Sequence, residues 1–249
     1  MTTDYDRIAR FYDVDMARNM PFDDAGFYAD RCAAAGGPVL ELGCGNGRIL
    51  LRLRARGIDA CGVDASAQML AELRRKAGEQ RLGVEVERMD IRHLRLARRF
   101  AVILCPYSLV TYVTEEADLR SLMQGVRAHL APGGRLLIDA FVPRPVQPFS
   151  DFRLDYRRPF GEATLVRSKR IEAIGPLLNR IERRYQVVDA RGEIVEQVEV
   201  AETIRPFSPP QLRELCTAAG LAVEAEWLDY GQGAAEEEAA RFFTLSATG

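Results

Sequence analysis

The residues best suited to chemistry lie in a glycine-rich segment near position 45. Segment 39–48 reads Val-Leu-Glu-Leu-Gly-Cys-Gly-Asn-Gly-Arg, with glycine at 43, 45 and 47. An apolar run, a glycine turn and a helix-like run predict a buried strand and a helix whose N-terminus faces a ligand. We expect this helix to begin at Arg48. The acidic Glu41, just before the turn, suits a ligand that carries a cationic amine.

The glycine spacing distinguishes between two kinds of ligand. A dinucleotide fingerprint is G-x-G-x-x-G, in which backbone amides meet a pyrophosphate. Here the third glycine comes one residue early, and Arg48 stands where that fingerprint has its last glycine. Glu41 would also be an unfavourable neighbour for a diphosphate. A nicotinamide-dependent oxidoreductase is therefore disfavoured.

Carboxylates end the next two predicted strands. Asp64 closes strand 59–64, 21 positions after Gly43, where a carboxylate in a doubly wound fold accepts both ribose hydroxyls. The alternative is an acid that only starts the next helix, with Ser66 as its N-cap. Asp90 follows strand 84–89 and could accept a hydrogen bond from an adenine amino group, although aspartate is also common in loops.

These acidic residues are expected to meet at one edge of a sheet. The fourth predicted strand, 100–104, is continuously apolar, as a central parallel strand should be, and it runs into loop 105–108. Ligands in open α/β sheets bind outside the carboxyl ends of the strands. The glycine loop, the two carboxylates and this loop therefore converge on one site.

The order of the remaining segments predicts a doubly wound α/β fold in a single domain, 1–249. After a fifth strand at 135–140, residues 145–205 are predicted to insert an antiparallel sheet, with a meander from about 162 and turns at Gly175 and Gly192. Doubly wound topology resumes with a helix capped by Ser208 and two last strands.

The N-terminal segment 1–35 is predicted to be helical and amphipathic. Tyr5, Ile8, Ala9 and Tyr12 recur at three and four residues, so that one face carries both tyrosines. These rings either pack the helix against the domain or belong to a lid that closes over a bound ligand. The sequence leaves both interpretations open.

Composition narrows the class of protein. The 249 residues are 47% hydrophobic and 28% charged, with net charge −2, which favours a globular domain and disfavours nucleic acid as a partner. Five scattered cysteines predict free thiols in the cytoplasm. Two histidines, His93 and His129, are too few and too separated for a typical metal site. No apolar run is long enough to cross a bilayer, so we expect no membrane partner. We expect a small-molecule substrate, and the sequence leaves open whether the protein forms a homodimer.

Together, these motifs resemble the class I S-adenosylmethionine-dependent methyltransferases across most of the chain. The glycine loop is similar to motif I of that family. The segment Tyr5-Asp6-Arg7-Ile8-Ala9-Arg10-Phe11-Tyr12-Asp13 and the inserted sheet are similar to bacterial small-molecule methyltransferases, above all the sugar-amine N-methyltransferases of antibiotic biosynthesis. The resemblance implies a Rossmann-like seven-stranded methyltransferase sheet, an antiparallel β insertion after strand five and an N-terminal helical lid.

The resemblance also implies roles for individual residues. The backbone of the glycine loop would hold the methionine moiety of the cofactor, Glu41 would orient its amino group and Asp64 would take the ribose hydroxyls. Asp90 and Ile91 would address the adenine, and Met69 would pack near it or simply fill the core. Together, the cofactor-binding residues implied are Tyr12, Glu41, Gly43, Cys44, Gly45, Asp64, Ala65, Met69, Asp90, Ile91 and Cys105, the last through its carbonyl.

The acceptor side departs from the family pattern. The sugar-amine enzymes carry a histidine where this chain has Tyr112, and a tyrosine with a pKa near 10 is a poor base at neutral pH. Tyr5 and Tyr112 are therefore candidates for positioning the acceptor.

We expect methyl transfer from S-adenosylmethionine to a nitrogen or oxygen of a small molecule in bacterial secondary metabolism. The alternatives are an RNA or protein substrate, or a non-catalytic cofactor-binding regulatory subunit.

Overall fold

Two β-sheets organise the chain, and the computed structural model describes residues 4–144, 149–233, 236–237 and 239–249 of it. The strands of the larger sheet are β1 (Val39–Leu42), β2 (Ala60–Asp64), β3 (Glu85–Arg88), β4 (Phe100–Cys105), β5 (Leu130–Phe141), β10 (Ala222–Leu228) and β11 (Phe242–Thr248). Those of the smaller sheet are β6 (Phe149–Phe160), β7 (Ala163–Ala173), β8 (Asn179–Val188) and β9 (Ile194–Ile204). The helices are α1 (Asp4–Ile8), α2 (Tyr12–Asn19), α3 (Asp24–Ala35), α4 (Leu50–Ala55), α5 (Ala67–Glu79), α6 (Glu116–His129) and α7 (Pro209–Ala218).

The larger sheet has the order β10-β11-β5-β4-β1-β2-β3. Strands β1 to β5 pair in parallel, whereas β11 runs antiparallel between β5 and β10. This topology confirms the predicted doubly wound, seven-stranded sheet. Strands β2 and β3 are added on one side of β1, whereas β4 and β5 are added on the other. Open α/β sheets bind ligands at this point, where the order of the strands reverses.

The central strands are buried on both faces. The apolar side chains of β1 and β4 are buried, as the continuous apolar runs predicted. The acidic residues Glu41 in β1 and Asp139 in β5 are also buried, at 3% and 0% exposure. A buried carboxylate is costly without partners, so both residues mark positions where packing alone does not explain the sequence.

The N-terminal segment is helical, as predicted, but it is not one helix. Residues 4–19 form α1, a 3₁₀ turn and α2, and the chain breaks before α3 begins. The break has a local cause, because the Asp23 side chain accepts a hydrogen bond from the Gly26 amide and caps α3. Helix α4 was also predicted imperfectly: it begins at Leu50 rather than Arg48, since the glycine turn extends further.

The inserted segment forms a four-stranded antiparallel sheet in the order β6-β7-β8-β9. The predicted meander contained only the last three strands. Strand β6 was missed because Pro143, Pro145 and Pro148 precede its start and Pro159 lies within it, and proline usually argues against a strand. Residues 145–148, the start of the predicted insertion, lie outside the described residues.

Helices α1 and α2 pack on one face of this inserted sheet. Ile8 and Phe11 share a hydrophobic cluster with Leu165 and Tyr185, and the rings of Phe11 and Tyr185 stack at a centroid distance of 5.3 Å. The N-terminal helices and the inserted sheet therefore form a joint cover, which we call the cap.

A buried polar cluster reinforces the cap. Asp15 of α2 accepts hydrogen bonds from the hydroxyls of Tyr156 and Tyr185, the latter at 2.6 Å. It also accepts one from Arg167 at 2.9 Å. Three donors of the sheet thus converge on one carboxylate of the N-terminal helices, and this convergence fixes how the two parts fit together.

In the described part of the chain, no helix is long and apolar enough to cross a membrane.

Candidate active site

A cavity of about 770 Å³ opens at the carboxyl ends of β1 to β4, within the size range of small-molecule sites. Its lining includes every residue predicted from the sequence except Cys105. The residues in common are Tyr5, Tyr12, Glu41, Gly43, Cys44, Gly45, Asp64, Ala65, Met69, Asp90, Ile91 and Tyr112. The residues that the sequence did not single out for the site include Arg48, Ser66, Met89, Tyr107, Leu109 and Glu202.

Cys105 lies outside the cavity lining, and the contact assigned to its backbone carbonyl stays a prediction. Its side chain is 1% exposed and belongs to the hydrophobic core around β4 and β5. The wall of the cavity begins with the next residues, Pro106 and Tyr107. Cys105 is the last residue of β4, so its side chain packs in the core, and this packing does not bear on the contact assigned to its carbonyl.

The glycine loop requires backbone conformations that favour glycine. Gly43 and Gly45 have φ of +59° and +51°, in the left-handed region. A Cβ at Gly43 would also lie 2.7 Å from the Leu109 side chain, which lines the cavity. The loop therefore turns sharply and lets its backbone approach the cavity closely.

Asp64 fastens the glycine loop to the next strand and helix. Its carboxylate accepts hydrogen bonds from the amides of Gly45, at 2.8 Å, and Ser66, at 2.7 Å. Ser66 in turn caps α5 by accepting from the Met69 amide. Burial raises the pKa of Asp64, although both amide hydrogen bonds oppose that rise. Asp64 thus supports the start of the helix through Ser66 and also lines the cavity, and its contact with ribose hydroxyls stays a prediction.

Glu41 is the most unusual group in the cavity wall. The side chain is buried, and among the described residues Oε2 has no hydrogen-bond partner. Burial raises the pKa of Glu41 well above its usual range, and the negative charges of Asp24 and Asp64 raise it further, whereas Arg48 lowers it. A buried, unsatisfied carboxylate oxygen that lines a cavity is poised for a cationic or hydrogen-bond-donating ligand group.

Arg48, which breaks the dinucleotide fingerprint, has a defined structural partner. Its guanidinium forms a bidentate ion pair with Asp24 of α3, with Nη2 at 2.7 Å from Oδ2. Burial alone would lower the pKa of Arg48, but the hydrogen bonds with Asp24 raise it. The glycine loop is therefore anchored to α3, and the positive charge beside Glu41 is already neutralised.

An ion-pair network stabilises the part of the cavity wall that follows β3. Asp90 accepts hydrogen bonds from the amide and the guanidinium of Arg92, whose Nη1 also contacts Asp118 at 2.9 Å. These bonds from Arg92 lower the pKa of Asp90, so this carboxylate is ionised at neutral pH. Ile91 and Met89 supply apolar surface on either side of it.

Tyrosines also line the cavity. The Tyr5 hydroxyl donates a hydrogen bond to the Tyr112 hydroxyl at 3.0 Å, which joins α1 to the 3₁₀ turn Leu109–Tyr112. The ring of Tyr12 lies edge-on to Tyr5 at 6.3 Å. Burial raises the pKa values of Tyr5 and Tyr12 above 10, so both phenols stay protonated at neutral pH.

The cap reaches directly onto the glycine loop and α5. Asp13 accepts a hydrogen bond from Asn46 Nδ2 at 2.8 Å and pairs with Lys76. Asp6 accepts from the Ser66 hydroxyl at 2.6 Å. The N-terminal helices thus lie over the residues that the sequence assigned to the cofactor.

The loop after β4 is held in a strained conformation by a buried carboxylate. Tyr107 and Ser108 have φ of +54° and +57°, which is costly for residues with side chains. Asp139 accepts from the Ser108 amide at 2.6 Å and from the hydroxyls of Tyr28 and Tyr230. This network fixes the direction of the loop, and with it Tyr107 at the cavity. The only sequence signal was an aspartate inside an apolar strand.

Comparisons with known proteins agree with this geometry. A family model described as a methyltransferase domain matches residues 39–134. The dTDP-3-amino-3,6-dideoxy-alpha-D-glucopyranose N,N-dimethyltransferase of Streptomyces fradiae is 28% identical over 187 residues, 75% of this chain and 70% of that protein. The dTDP-3-amino-3,4,6-trideoxy-alpha-D-glucopyranose N,N-dimethyltransferase of Streptomyces venezuelae is 27% identical over 189 residues, 75% and 76% of the two chains.

A solved structure shows the same fold over almost the whole length. It is an amino pentose methyltransferase from Micromonospora echinaspora, involved in calicheamicin biosynthesis and solved with S-adenosylmethionine bound. It superposes with a TM-score of 0.75 at 24% identity and covers 96% of this chain and 97% of its own.

The fold and the cavity thus define the class, a Rossmann-like sheet of the class I methyltransferase type. A methyltransferase domain is recognised over residues 39–134, and the sequence resembles those of the bacterial sugar-amine N,N-dimethyltransferases. These findings support an S-adenosylmethionine-dependent methyltransferase.

Proposed function

We propose that this enzyme transfers a methyl group from S-adenosylmethionine to the amine of a small amino sugar, of the nucleotide-linked kind named in its Streptomyces relatives. The observation that carries the proposal is one cavity lined by two chemically different groups of residues. The carboxylates Glu41, Asp64 and Asp90 form one group, and the phenols Tyr5 and Tyr112 form the other, whose surroundings we call the acceptor end. Such a cavity suits a cofactor and a small acceptor placed end to end.

The residues present fit the cofactor. The unsatisfied Glu41 oxygen would receive the α-ammonium group of the methionine moiety, and Gly43, Cys44 and Gly45 would contact that moiety through their backbone. Asp64 has lone pairs left for the ribose hydroxyls, because each of its oxygens accepts only one amide hydrogen bond. Ala65 would lie beside the ribose. The remaining assigned contacts would come from Tyr12, Met69, Asp90 and Ile91.

S-adenosylmethionine supplies, when bound, an electrophilic methyl group on a sulfonium. The amine nitrogen forms the new bond to carbon while the carbon–sulfur bond breaks, its electron pair stays on sulfur, and the methylated ammonium releases a proton to solvent. Burial raises the pKa of Tyr5, so this phenol stays protonated at neutral pH and holds the acceptor rather than acting as a base. Tyr112, which accepts its hydrogen bond, helps to position the acceptor. Orientation of the acceptor nitrogen against the methyl group then provides most of the rate enhancement.

The whole chain is proposed to act as one methyltransferase domain, with residues 1–35 as a lid and 145–205 as the cover of the substrate. The contacts of the cap support this division, because Asp13 bonds Asn46 of the glycine loop while Glu202 of β9 lines the cavity. Five unpaired cysteines support a cytoplasmic location. A homodimer remains a prediction, which light scattering would check.

An RNA or protein substrate is less well supported. Two arginine clusters, at 52–56 and 92–99, would favour RNA. Several of these arginines are paired with acids: Arg52 with Asp23, Arg56 with Asp30, Arg92 with Asp90 and Asp118, and Arg98 with Asp59. Charges compensated in this way attract polyanions weakly.

The test has a binding arm and a turnover arm. Calorimetry should show binding of S-adenosylhomocysteine, and labelled S-adenosylmethionine should pass its methyl group to dTDP-3-amino-3,6-dideoxy-α-D-glucopyranose but not to its 3-hydroxy analogue, bulk RNA or a protein mixture. Cofactor binding without turnover on any acceptor would support a regulatory subunit. Transfer to RNA or protein instead of the amino sugar would overturn the proposal.

A further inference from the structure

The inserted sheet brings a buried carboxylate to the acceptor end of the cavity. Glu202 of β9 lines the cavity together with Thr203, and its side chain is only 8% exposed. Its strand position places it on the same face as Val200, which packs in the cluster of the cap. The cofactor contacts assigned above leave Glu202 without a role.

Glu202 is supported from behind by an arginine. Arg183 of β8 forms an ion pair with Glu202 Oε2, and its side chain is 13% exposed. Arg183 is not among the described residues that line the cavity. The carboxylate thus lies between the guanidinium and the cavity, and the pair presents its acidic member to a ligand.

This ion pair is close to the tyrosines of the acceptor end. Burial would lower the pKa of Arg183, whereas the proximity of Tyr112 and Tyr5 raises it. The Tyr5 and Tyr112 hydroxyls are themselves joined by one hydrogen bond, which uses the Tyr5 proton. The acceptor end therefore offers more hydrogen-bond acceptors than donors, and it combines them with aromatic faces.

We propose that Glu202 binds the acceptor amine of the substrate and selects an amine over a hydroxyl. The inference rests on the proposed function and names the group that recognises the acceptor. An ammonium or amine has two or three N–H donors and satisfies a carboxylate and neighbouring phenol oxygens, whereas a hydroxyl has only one. Aromatic faces also attract a cation, including the methylated ammonium product. An N–H donated to Glu202 leaves the lone pair of the neutral amine free to face the methyl group.

A purely structural role for Glu202 would predict a different location. Other glutamates of β9 serve as simple partners for arginines at exposed positions: Glu199 with Arg184, and Glu196 with Arg10. Glu202 makes the same kind of pair but is buried beside a cavity, where the cost of desolvation offsets most of the attraction. A ligand that adds a donor would recover part of that cost.

The experiment compares Glu202→Gln with the matched control Glu199→Gln, whose side chain is 44% exposed. Calorimetry measures the binding of dTDP-3-amino-3,6-dideoxy-α-D-glucopyranose and of its 3-hydroxy analogue to the S-adenosylhomocysteine complex. Because a hydrogen bond to a charged group is lost, we expect the amine to bind Glu202→Gln about 10- to 100-fold more weakly. The affinities for the hydroxy analogue and for S-adenosylhomocysteine should be unchanged, as should every value in the control.

A second variant controls for the Arg183 guanidinium, whose positive charge Glu202→Gln leaves without its carboxylate partner. In the double variant Arg183→Met with Glu202→Gln both charges are absent, and the loss of amine selectivity should persist while circular dichroism shows a folded protein. If Glu202→Gln does not fold, this variant carries the test.

The outcomes separate the two proposals. If the wild type methylates the amine and the Glu202 variants bind and methylate it equally well, the assignment of Glu202 is wrong and the proposed function stands. If the wild type binds the amine through Glu202 but transfers no methyl group to it, the proposed function is wrong and the assignment stands. Equal loss of amine and hydroxy analogue, or an absence of amine binding by the wild type, would overturn the assignment.

Discussion

Replacing Glu41 by glutamine tests the electrostatics of the cofactor end. The substitution keeps the shape of the side chain and removes its charge. Glu41 is 3% exposed and Oε2 has no hydrogen-bond partner among the described residues, so a bound ammonium would be its main counter-charge. A charge-assisted hydrogen bond at such a site contributes about 1.5–3 kcal/mol. We therefore expect Glu41→Gln to bind S-adenosylhomocysteine about 10- to 150-fold more weakly.

The pH dependence of binding gives a sharper signature than the affinity alone. Burial raises the pKa of Glu41 in the free protein, so the carboxyl is protonated well above its ordinary range. A cationic ligand binds the ionised form and must expel that proton. Affinity should therefore rise with pH, by up to about tenfold per unit, until the raised pKa is passed or the ligand amine begins to lose its proton near pH 8.

The same shift has a consequence for stability. The folded protein holds the Glu41 proton more tightly than the unfolded chain does. The free energy of unfolding of the ligand-free protein should therefore fall as pH rises from the ordinary carboxyl pKa through the raised one. This contribution is absent in Glu41→Gln.

Calorimetry in two buffers with different ionisation enthalpies measures both the affinity and the proton release. The measurements cover about pH 5.5 to 7.5, where an α-amino group stays charged. The matched control is Glu85→Gln on the exposed edge strand β3, which should behave as the wild type. The reasoning would be refuted if the wild type bound S-adenosylhomocysteine with no proton release and a flat pH profile. Equal binding by Glu41→Gln would refute it as well.

Two further substitutions test the geometry of the loop and of the cap. Gly43→Ala should weaken S-adenosylhomocysteine binding about tenfold or more, because the added Cβ displaces the Leu109 side chain at the cavity. The control is Gly57→Ala, since Gly57 also has a positive φ, +74°, but no neighbour within 4 Å. This control should bear similar backbone strain, about 1–2 kcal/mol, with unchanged affinity. Asp15→Asn removes the buried partner of Arg167, a loss worth about 3–5 kcal/mol, so calorimetric melting should occur roughly 6–20 °C lower. An unchanged melting temperature would contradict the role of Asp15 in the cap.

The cofactor end of the cavity could be predicted because its signals are local in sequence. Glycine spacing, an acid at the end of β2 and another after β3 depend on short-range backbone geometry, and parallel strands bring their carboxyl ends to one edge. Where prediction failed, local rules were overridden: the turn extends past Arg48 and delays α4, and prolines concealed strand β6.

The parts that could not be predicted depend on contacts between distant residues. Asp15 meets Arg167 across 152 positions, and Asp139 meets Tyr28 across 111. Neither pair has a local pattern, and an acid within an apolar segment signals only that some partner is required. The sequence therefore indicates that a buried carboxylate needs an explanation, but not which residues supply it.

The acceptor end of the cavity is also formed by residues that are distant in sequence. The glycine loop therefore carries no information about the substrate. Tyr5 and Tyr112 are 107 positions apart, and Glu202 comes from a different sheet. Their relative positions are set by the cap, whose internal contacts at Asp15 are buried. The contacts that Asp13 of the cap makes outside it are more exposed and include an ion pair with Lys76 of α5. Exposed ion pairs contribute only about 0–1 kcal/mol. The acceptor end is thus held mainly by the inserted sheet, and changes in that sheet can alter the substrate while the cofactor end stays intact.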